Sequence, residues 1–404
     1  MKELWLFTIR FPYGTLENSL EHEVPVLCRH FDKVVLFPLL REEVVRPLPA
    51  NAEVRTVIDD PFRPASLWTM FRHWRLWYPM WRDVFGSAPS KEIRRRQRRG
   101  LVSKMRQAVA RVLRFKQVMG PSYDPQRVVL YSSWTLDWAT VLSLWKLMDP
   151  RVRFVTRMRG FDLYDHRAPD GWQAFQPFHL RHIEHLYTTS KASHGYLLAR
   201  YPGMAGGTSI SPTATDDHGQ GPWSPSDVLR IVSCSNLIPI KRVHLIAEAL
   251  AGMQQRVHWT HFGDGPEMAR VMDIVRDFPP HIRADLKGRL PNAAIVDWYK
   301  QNPVDLFIHV SSTEGGVSVA VQEATSFGIP VLGADAGGVG EIVNDITGEL
   351  LPLDLTSEYL RTRIEAFAAR GCGADKRERI AAFWNERFNA EQVHETFARD
   401  LLTR

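Results

Sequence analysis

Short apolar, β-rich runs recur along the first half of the chain, with stretches of helical spacing between them. The runs predict strands at Leu4–Ile9, Lys33–Phe37, Val54–Ile58, Val128–Ser132, Arg153–Arg157 and His185–Thr189. Strands that alternate with helical patterns build βα units, and so predict an α/β fold with a mostly parallel sheet. Between Gly203 and Asp227 the pattern lapses into GMAGGTSISPTATDDHGQGPWSPSD, rich in Gly, Pro, Ser, Thr and Asp, which reads as an interdomain connection.

The rhythm then restarts. Leu229–Cys234 reads as a strand, Val243–Met253 as a helix and His258–Phe262 as the next strand, followed by Ala284–Leu290, Leu306–Val310 and Pro330–Leu332. At 404 residues the chain exceeds a typical single core. The expected division is a first Rossmann-like α/β domain over 1–205, a linker over 206–228, a second over 229–388, and a final helix over 389–404. Two α/β halves joined by a loop make a cleft, where ligands bind.

Apolar residues at 44% and charged residues at 24% are ordinary for a folded globular protein. The opening MKELWLFTIRFPYG is far shorter than the roughly 20 apolar residues of a membrane span and lacks a signal-peptide cleavage pattern. Cys28, Cys234 and Cys372 are scattered and lack metal-ligand spacing, which fits a reducing cytoplasm. The net charge of +6 is local: Phe71 to Val118 holds 14 Lys/Arg against two acids, Asp83 and Glu92, including the run Arg94–Arg99. Trp68, Trp74, Trp77, Tyr78, Trp81 and Phe85 lie in or beside this segment. Aromatic and basic residues together suit a membrane interface, so 68–118 is expected to touch the inner face of a membrane. Nucleic acid is the competing explanation of the charge, without a reader motif behind it.

The densest motif is SSTEGGVSVAVQEATSFGIPVLGADAGG, Ser311 to Gly338. Leu306–Val310 should be a buried strand, Ser311–Val317 the loop at its carboxyl end, and Ser318–Phe327 a helix stopped by Gly328 and Pro330. Amides at a helix start suit a phosphate. Glu323, inside the helix, is placed to accept from sugar hydroxyls, and Gly315 and Gly316 leave the backbone beside Glu314 open to a ligand.

This motif, with AGGVGEIV after it, resembles the carboxylate motif of retaining glycosyltransferase family 4, the glycosyl transferases group 1, which have the GT-B fold: two Rossmann-like domains facing each other across a deep cleft. Phe11–Gly14, Arg157–Asp162, Pro239–Arg242 and Gly263–Pro266 match in the expected order. The resemblance implies transfer of a sugar from a UDP- or GDP-sugar to a hydroxyl of a glycan or lipid-linked saccharide, with retained configuration, no cofactor and no obligatory metal. The absence of an Asp-x-Asp pair agrees with the last point. It makes 1–205 the acceptor-binding domain and 229–388 the nucleotide-sugar-binding domain, has the helix over 389–404 return to the first domain, and assigns catalysis to Glu314, Lys241 and Arg159, with Lys241 at the diphosphate and Glu323 on the ribose. It assigns nucleotide-sugar contacts to Gly14, Asn236, Lys241, Arg242, Gly263, Asp264, Gly265, Arg289, Gly315, Gly316, Val317, Ser318, Val319 and Glu323.

The chain departs from the family pattern in three places. Eight residues separate the two glutamates where the family has seven, Asn236 stands where an arginine is usual, and Arg159 where histidine is common. Other readings compatible with the same residues are a related nucleotide-sugar enzyme, such as an epimerase or phosphorylase, and a non-catalytic membrane or nucleic-acid binder.

Overall fold

In a computed structural model, which describes residues 2–14, 17–58 and 62–404, the chain folds into two compact units. The first comprises the chain up to Thr189, Ser193–Ser211 and His394–Arg404; the second comprises Ser190–Ala192 and Pro212–Val393. Each is built on one parallel sheet, as the alternating pattern predicts.

The sheet of the first unit contains β1 (Glu3–Thr8), β2 (Lys33–Pro38), β3 (Ala52–Val54), β4 (Val128–Ser132), β5 (Phe154–Met158), β6 (His185–Thr188) and β7 (Thr208–Ile210), in the order β3-β2-β1-β4-β5-β6-β7. Every strand pair is parallel. The central strands are buried on both faces, which is why they read as continuous apolar runs. On one face Trp5, Phe7 and Phe37 pack edge-on against Phe115, with Trp138 and Trp145 beside it. On the other, Phe397, Ala398 and Leu401 of the helix Ala390–Leu402 join Leu4, Leu6 and Val155.

A 29-residue helix, Lys91–Met119, supplies Phe115. Ser90 caps it by accepting from the Ile93 amide at 3.1 Å. Leu101, Met105, Ala108, Val112 and Phe115 are spaced to form one buried stripe, whereas none of residues 91–100 is buried and only Ile93 among their apolar side chains packs against the core. Before it, Leu67–Arg72 and Trp74–Gly86 form two shorter helices.

The second sheet contains β8 (Leu229–Cys234), β9 (Val257–Phe262), β10 (Ile282–Leu286), β11 (Leu306–His309), β12 (Val331–Ala334) and β13 (Gly348–Leu351), in the order β10-β9-β8-β11-β12-β13. Four expectations shift. β3 covers Ala52–Val54 rather than Val54–Ile58, because only those three residues pair with β2. β10 ends at Leu286 because Gly288 turns with φ 67 and bridges Gly263. β7 lies inside the stretch expected to be linker, where Thr208–Ile210 pair with β6. β13 carries no apolar run long enough to announce it.

Candidate functional site

Parallel α/β sheets gather their ligands at the carboxyl ends of the strands. In the second unit four loops meet there. β8 leads into a single turn, Pro239–Lys241, which places Lys241 opposite the loop that follows β11. The two are tied by backbone: Ser312 N donates to Ile240 O at 2.7 Å, and Ser312 Oγ to the same oxygen at 3.1 Å.

Lys241 Nζ forms a short ion pair with Glu314 Oε1, and His309 Nε2, on the last residue of β11, lies 2.9 Å from that same oxygen. Burial pushes the Glu314 carboxyl up, but the His309 hydrogen bond and the Lys241 charge outweigh it and hold the group down to about 2. An ionised Glu314 accepts, so His309 donates through Nε2. Sequence reasoning missed His309, although a histidine at the end of the apolar strand LFIH was a visible irregularity.

The glycines at this edge are required by close backbone approaches. Gly263 has φ 143, and a Cβ there would lie 1.8 Å from Ser235 O; Gly265, φ 159, would place one 2.4 Å from Leu237 O. The exits of β8 and β9 therefore pack backbone against backbone, and Leu237 N donates to Asp264 O at 3.0 Å. Asp264 itself accepts from the Gly265 amide at 2.7 Å. Likewise Gly337, φ 58, lies so near the Glu314 loop that a Cβ would reach Glu314 O at 2.3 Å, and Gly338 N donates to Gly316 O at 3.2 Å. The second glycine pair of the motif thus shapes the loop made by the first.

The helix after that loop is Val319–Ser326, closed by Gly328 with φ 73. Ser318 occupies its N-cap without a side-chain capping bond, while Val317 is buried and Val319 exposed. Gln322 Nε2 at 3.3 Å and Thr213 Oγ1 at 3.2 Å both donate to Val317 O, holding the loop down. Glu323 is buried on this helix and accepts from Asn292 Nδ2 at 2.6 Å.

Other expected residues have different surroundings. Arg289 Nη2 lies 3.4 Å from Asn236 Oδ1, so the position that usually holds arginine has one as a neighbour. Arg242 adopts a left-handed backbone, φ 51, and its guanidinium donates to Val310 O at 2.8 Å, Leu353 O at 2.7 Å and Ser311 O at 3.4 Å. Three of its five N–H donors thus brace the loop after β11.

Gly14 and Arg159 belong to the first unit. Gly14, φ 65, donates to Val44 O at 2.8 Å and accepts from Arg46 Nε at 2.8 Å. Arg159 donates to Ser19 Oγ at 2.9 Å and lies over the Trp134 ring, 5.2 Å from its centre. Nearby, Glu17 accepts from the amides of Ile9, Arg10 and Phe11 and from Trp134 Nε1 at 2.7 to 3.2 Å, which fixes the loop after β1. Arg157, from the same matched segment as Arg159, is wholly buried, paired with Glu23 at 2.5 Å and stacked on Phe397 at 4.3 Å.

Residues 220–381 match the family described as Glycosyl transferases group 1. Over 148 residues the chain is 30% identical to the GDP-mannose-dependent alpha-mannosyltransferase of Mycolicibacterium smegmatis, a match covering 36% of each chain. Over 178 residues it is 25% identical to the N-acetyl-alpha-D-glucosaminyl L-malate synthase of Bacillus anthracis, covering 43% of this chain and 45% of that one. The chain spans about a third of the length of the first of these relatives. In three dimensions it is similar over its whole length to Anabaena Alr3699/HepE in complex with UDP, covering all of that chain too, with a TM-score of 0.65 at 16% identity. The apo form of the lipopolysaccharide outer core galactosyltransferase WaaB gives 0.70 at 12% identity, covering 100% of this chain and 99% of that one. The fold is that of the GT-B glycosyltransferases, and residues 220–381 are similar to the glycosyl transferases of group 1.

Proposed function

We propose that the protein is a retaining, metal-independent glycosyltransferase that moves a sugar from a UDP- or GDP-sugar to a hydroxyl of a glycan or lipid-linked saccharide in surface glycan synthesis. The observation that carries this reading is the Lys241–Glu314–His309 cluster at the carboxyl end of β11, one helix away from the buried Glu323. As the bond between the anomeric carbon and the diphosphate breaks, the electron pair leaves with the diphosphate and negative charge accumulates there. Lys241 and the uncapped amides at the start of Val319–Ser326 stabilise that charge. Glu323 holds the ribose, and Glu314, kept ionised and oriented by His309 and Lys241, faces the transferred sugar. The named activities of the similar proteins, GDP-mannose-dependent in one case and UDP-bound in another, support the choice of donors.

Contact with an anionic membrane surface belongs to the same reading. Leu67, Trp68 and Phe71 are 76%, 67% and 71% exposed, and Trp74, Tyr78 and Trp81 are also exposed. The helix start beside them in sequence carries Arg94, Arg95, Arg98 and Arg99, all exposed, while Arg96 and Gln97 bond to Asp170. Indole rings at headgroup depth and guanidinium groups at lipid phosphate would use both features. Among the described residues no helix is long and apolar enough to cross a membrane.

Measuring free nucleotide from a set of nucleotide-sugars, with and without an acceptor alcohol, tests the activity. Release that requires the alcohol is the expected result. Release without it, or conversion of the sugar alone, would replace the transferase with another nucleotide-sugar enzyme.

A further inference from the structure

The loop after β10 reaches the helix that carries Glu323. Gly288 turns the chain against Gly263, Arg289 reaches Asn236, and Pro291 O accepts from the Ala294 and Ile295 amides at 3.0 and 3.3 Å, which starts the helix Asn292–Gln301. Asn292 is exposed at the first residue of that helix. Its side chain crosses to Val319–Ser326, where Nδ2 donates to Glu323 Oε1 at 2.6 Å.

The two helices do not need this bond to stay together. Ile295 and Val296 of one share a core with Val321 and Ala324 of the other, and the Tyr299 and Phe327 rings stack with centres 5.2 Å apart. A single bond from an exposed side chain adds little to that packing, so the orientation of Glu323 is the better account of it.

An amide carries two N–H donors and a carbonyl acceptor, and Asn292 spends one donor on Glu323. Its second N–H has no partner among the described residues. Glu323 is 8% exposed, mostly covered but not sealed. Burial and the Glu323 charge drive the Cys234 thiol up to about 12 and the Tyr299 phenol upward as well, so both stay neutral near the carboxylate.

A carboxylate with an amide N–H beside it suits one kind of ligand group. A phosphate brings negative charge to the carboxylate and is repelled, and an ammonium meets the amide donor. A hydroxyl satisfies both, because it donates to the carboxylate and accepts from the amide. A hydrogen atom in its place leaves both protein groups unpaired, which is how a polar site rejects an analogue that lacks the hydroxyl.

We propose that Asn292 is a ligand-binding residue that selects a ribonucleotide over its deoxy form: one ribose hydroxyl donates to Glu323 and accepts from the second Asn292 N–H. That the hydroxyl belongs to a ribose rests on the transferase reading, in which Glu323 holds that sugar; the pairing of Asn292 with Glu323 does not.

Isothermal titration of the full chain with UDP, GDP and their 2′-deoxy and 3′-deoxy counterparts tests it. At least one ribonucleotide should bind about tenfold more tightly than one of its deoxy forms. Asn292→Ala should bring that ratio close to one by weakening the ribonucleotide alone. Asn292→Asp, which keeps the shape and removes both donors, should do the same. The residue is exposed, so both variants should unfold in urea at the midpoint of the unsubstituted chain. A ratio of one in that chain, a ratio unchanged in both variants, or equal weakening of ribo and deoxy forms, as a purely structural side chain would give, would overturn the assignment. Binding of neither UDP nor GDP would overturn it together with the transferase. Nucleotide binding that ignores Asn292 sinks this assignment alone, and an Asn292-dependent ratio without acceptor-dependent nucleotide release sinks the transferase alone.

Discussion

At the carboxyl edge of the second sheet an ammonium and an imidazole converge on one carboxylate oxygen, Glu314 Oε1. At that of the first sheet the Glu17 carboxylate is saturated by amides and an indole. Two buried charges of the first unit, Arg157 and Glu23, pair with each other inside the core, where His394 and Ser211 also approach them. Two sheets of similar topology thus differ at their carboxyl edges: one gathers three titratable side chains on one oxygen, the other ties its carboxylate into the loop after β1. A shared fold gives the place of a site, and the side chains give its kind.

The contrast can be broken in several ways. The largest effect should come from Glu23→Ala, which strands a buried guanidinium and should cost about 3–5 kcal/mol in denaturant unfolding. A loss of catalysis without loss of stability would mean that this pair serves the reaction instead. Lys241→Ala should do the opposite, lowering kcat roughly 100- to 1000-fold with little change in unfolding, as expected for a group that stabilises developing charge. Glu323→Ala should weaken nucleotide binding by about 1.5–3 kcal/mol, the scale of hydrogen bonds to a charged group.

Glu314 sharpens the comparison through pH. Its folded value, about 2, lies below its ordinary 4.5, so its contribution is full above 4.5 and is lost as pH falls toward 2. Glu314→Gln should therefore flatten the acid limb of the stability profile between those values, and an unchanged limb would contradict the assigned geometry. The smallest effects concern the exposed segment. Neutralising Arg94, Arg95, Arg98 and Arg99 should reduce flotation with anionic liposomes by about 1 kcal/mol per residue at the surface, and undiminished flotation would remove this patch from the account.

The legible parts of the molecule were those whose sequence is constrained by backbone. Gly263, Gly265, Gly337 and Gly338 sit where a Cβ would strike a neighbouring strand exit or loop, so the motif must spell them out, and Glu314, Glu323 and Lys241 could be placed around them. The alternation of strands and helices gave both sheets because their central strands are short, apolar and parallel. β7 escaped because three paired residues inside a Gly- and Pro-rich stretch show no periodicity. The bracing contacts of Arg242 were not legible because the carbonyls it donates to, at Val310, Ser311 and Leu353, are 68 to 111 positions away.

The central claim is that Lys241 and Glu323 hold a nucleotide-sugar at the carboxyl edge of the second sheet. Thermal unfolding with a panel of UDP-, GDP- and ADP-sugars tests it directly, since a ligand that binds the folded state raises the midpoint with concentration. The account predicts a dose-dependent rise with at least one UDP- or GDP-sugar that is lost in Lys241→Ala and Glu323→Ala. No rise across the panel, or a rise that survives both substitutions, would contradict it.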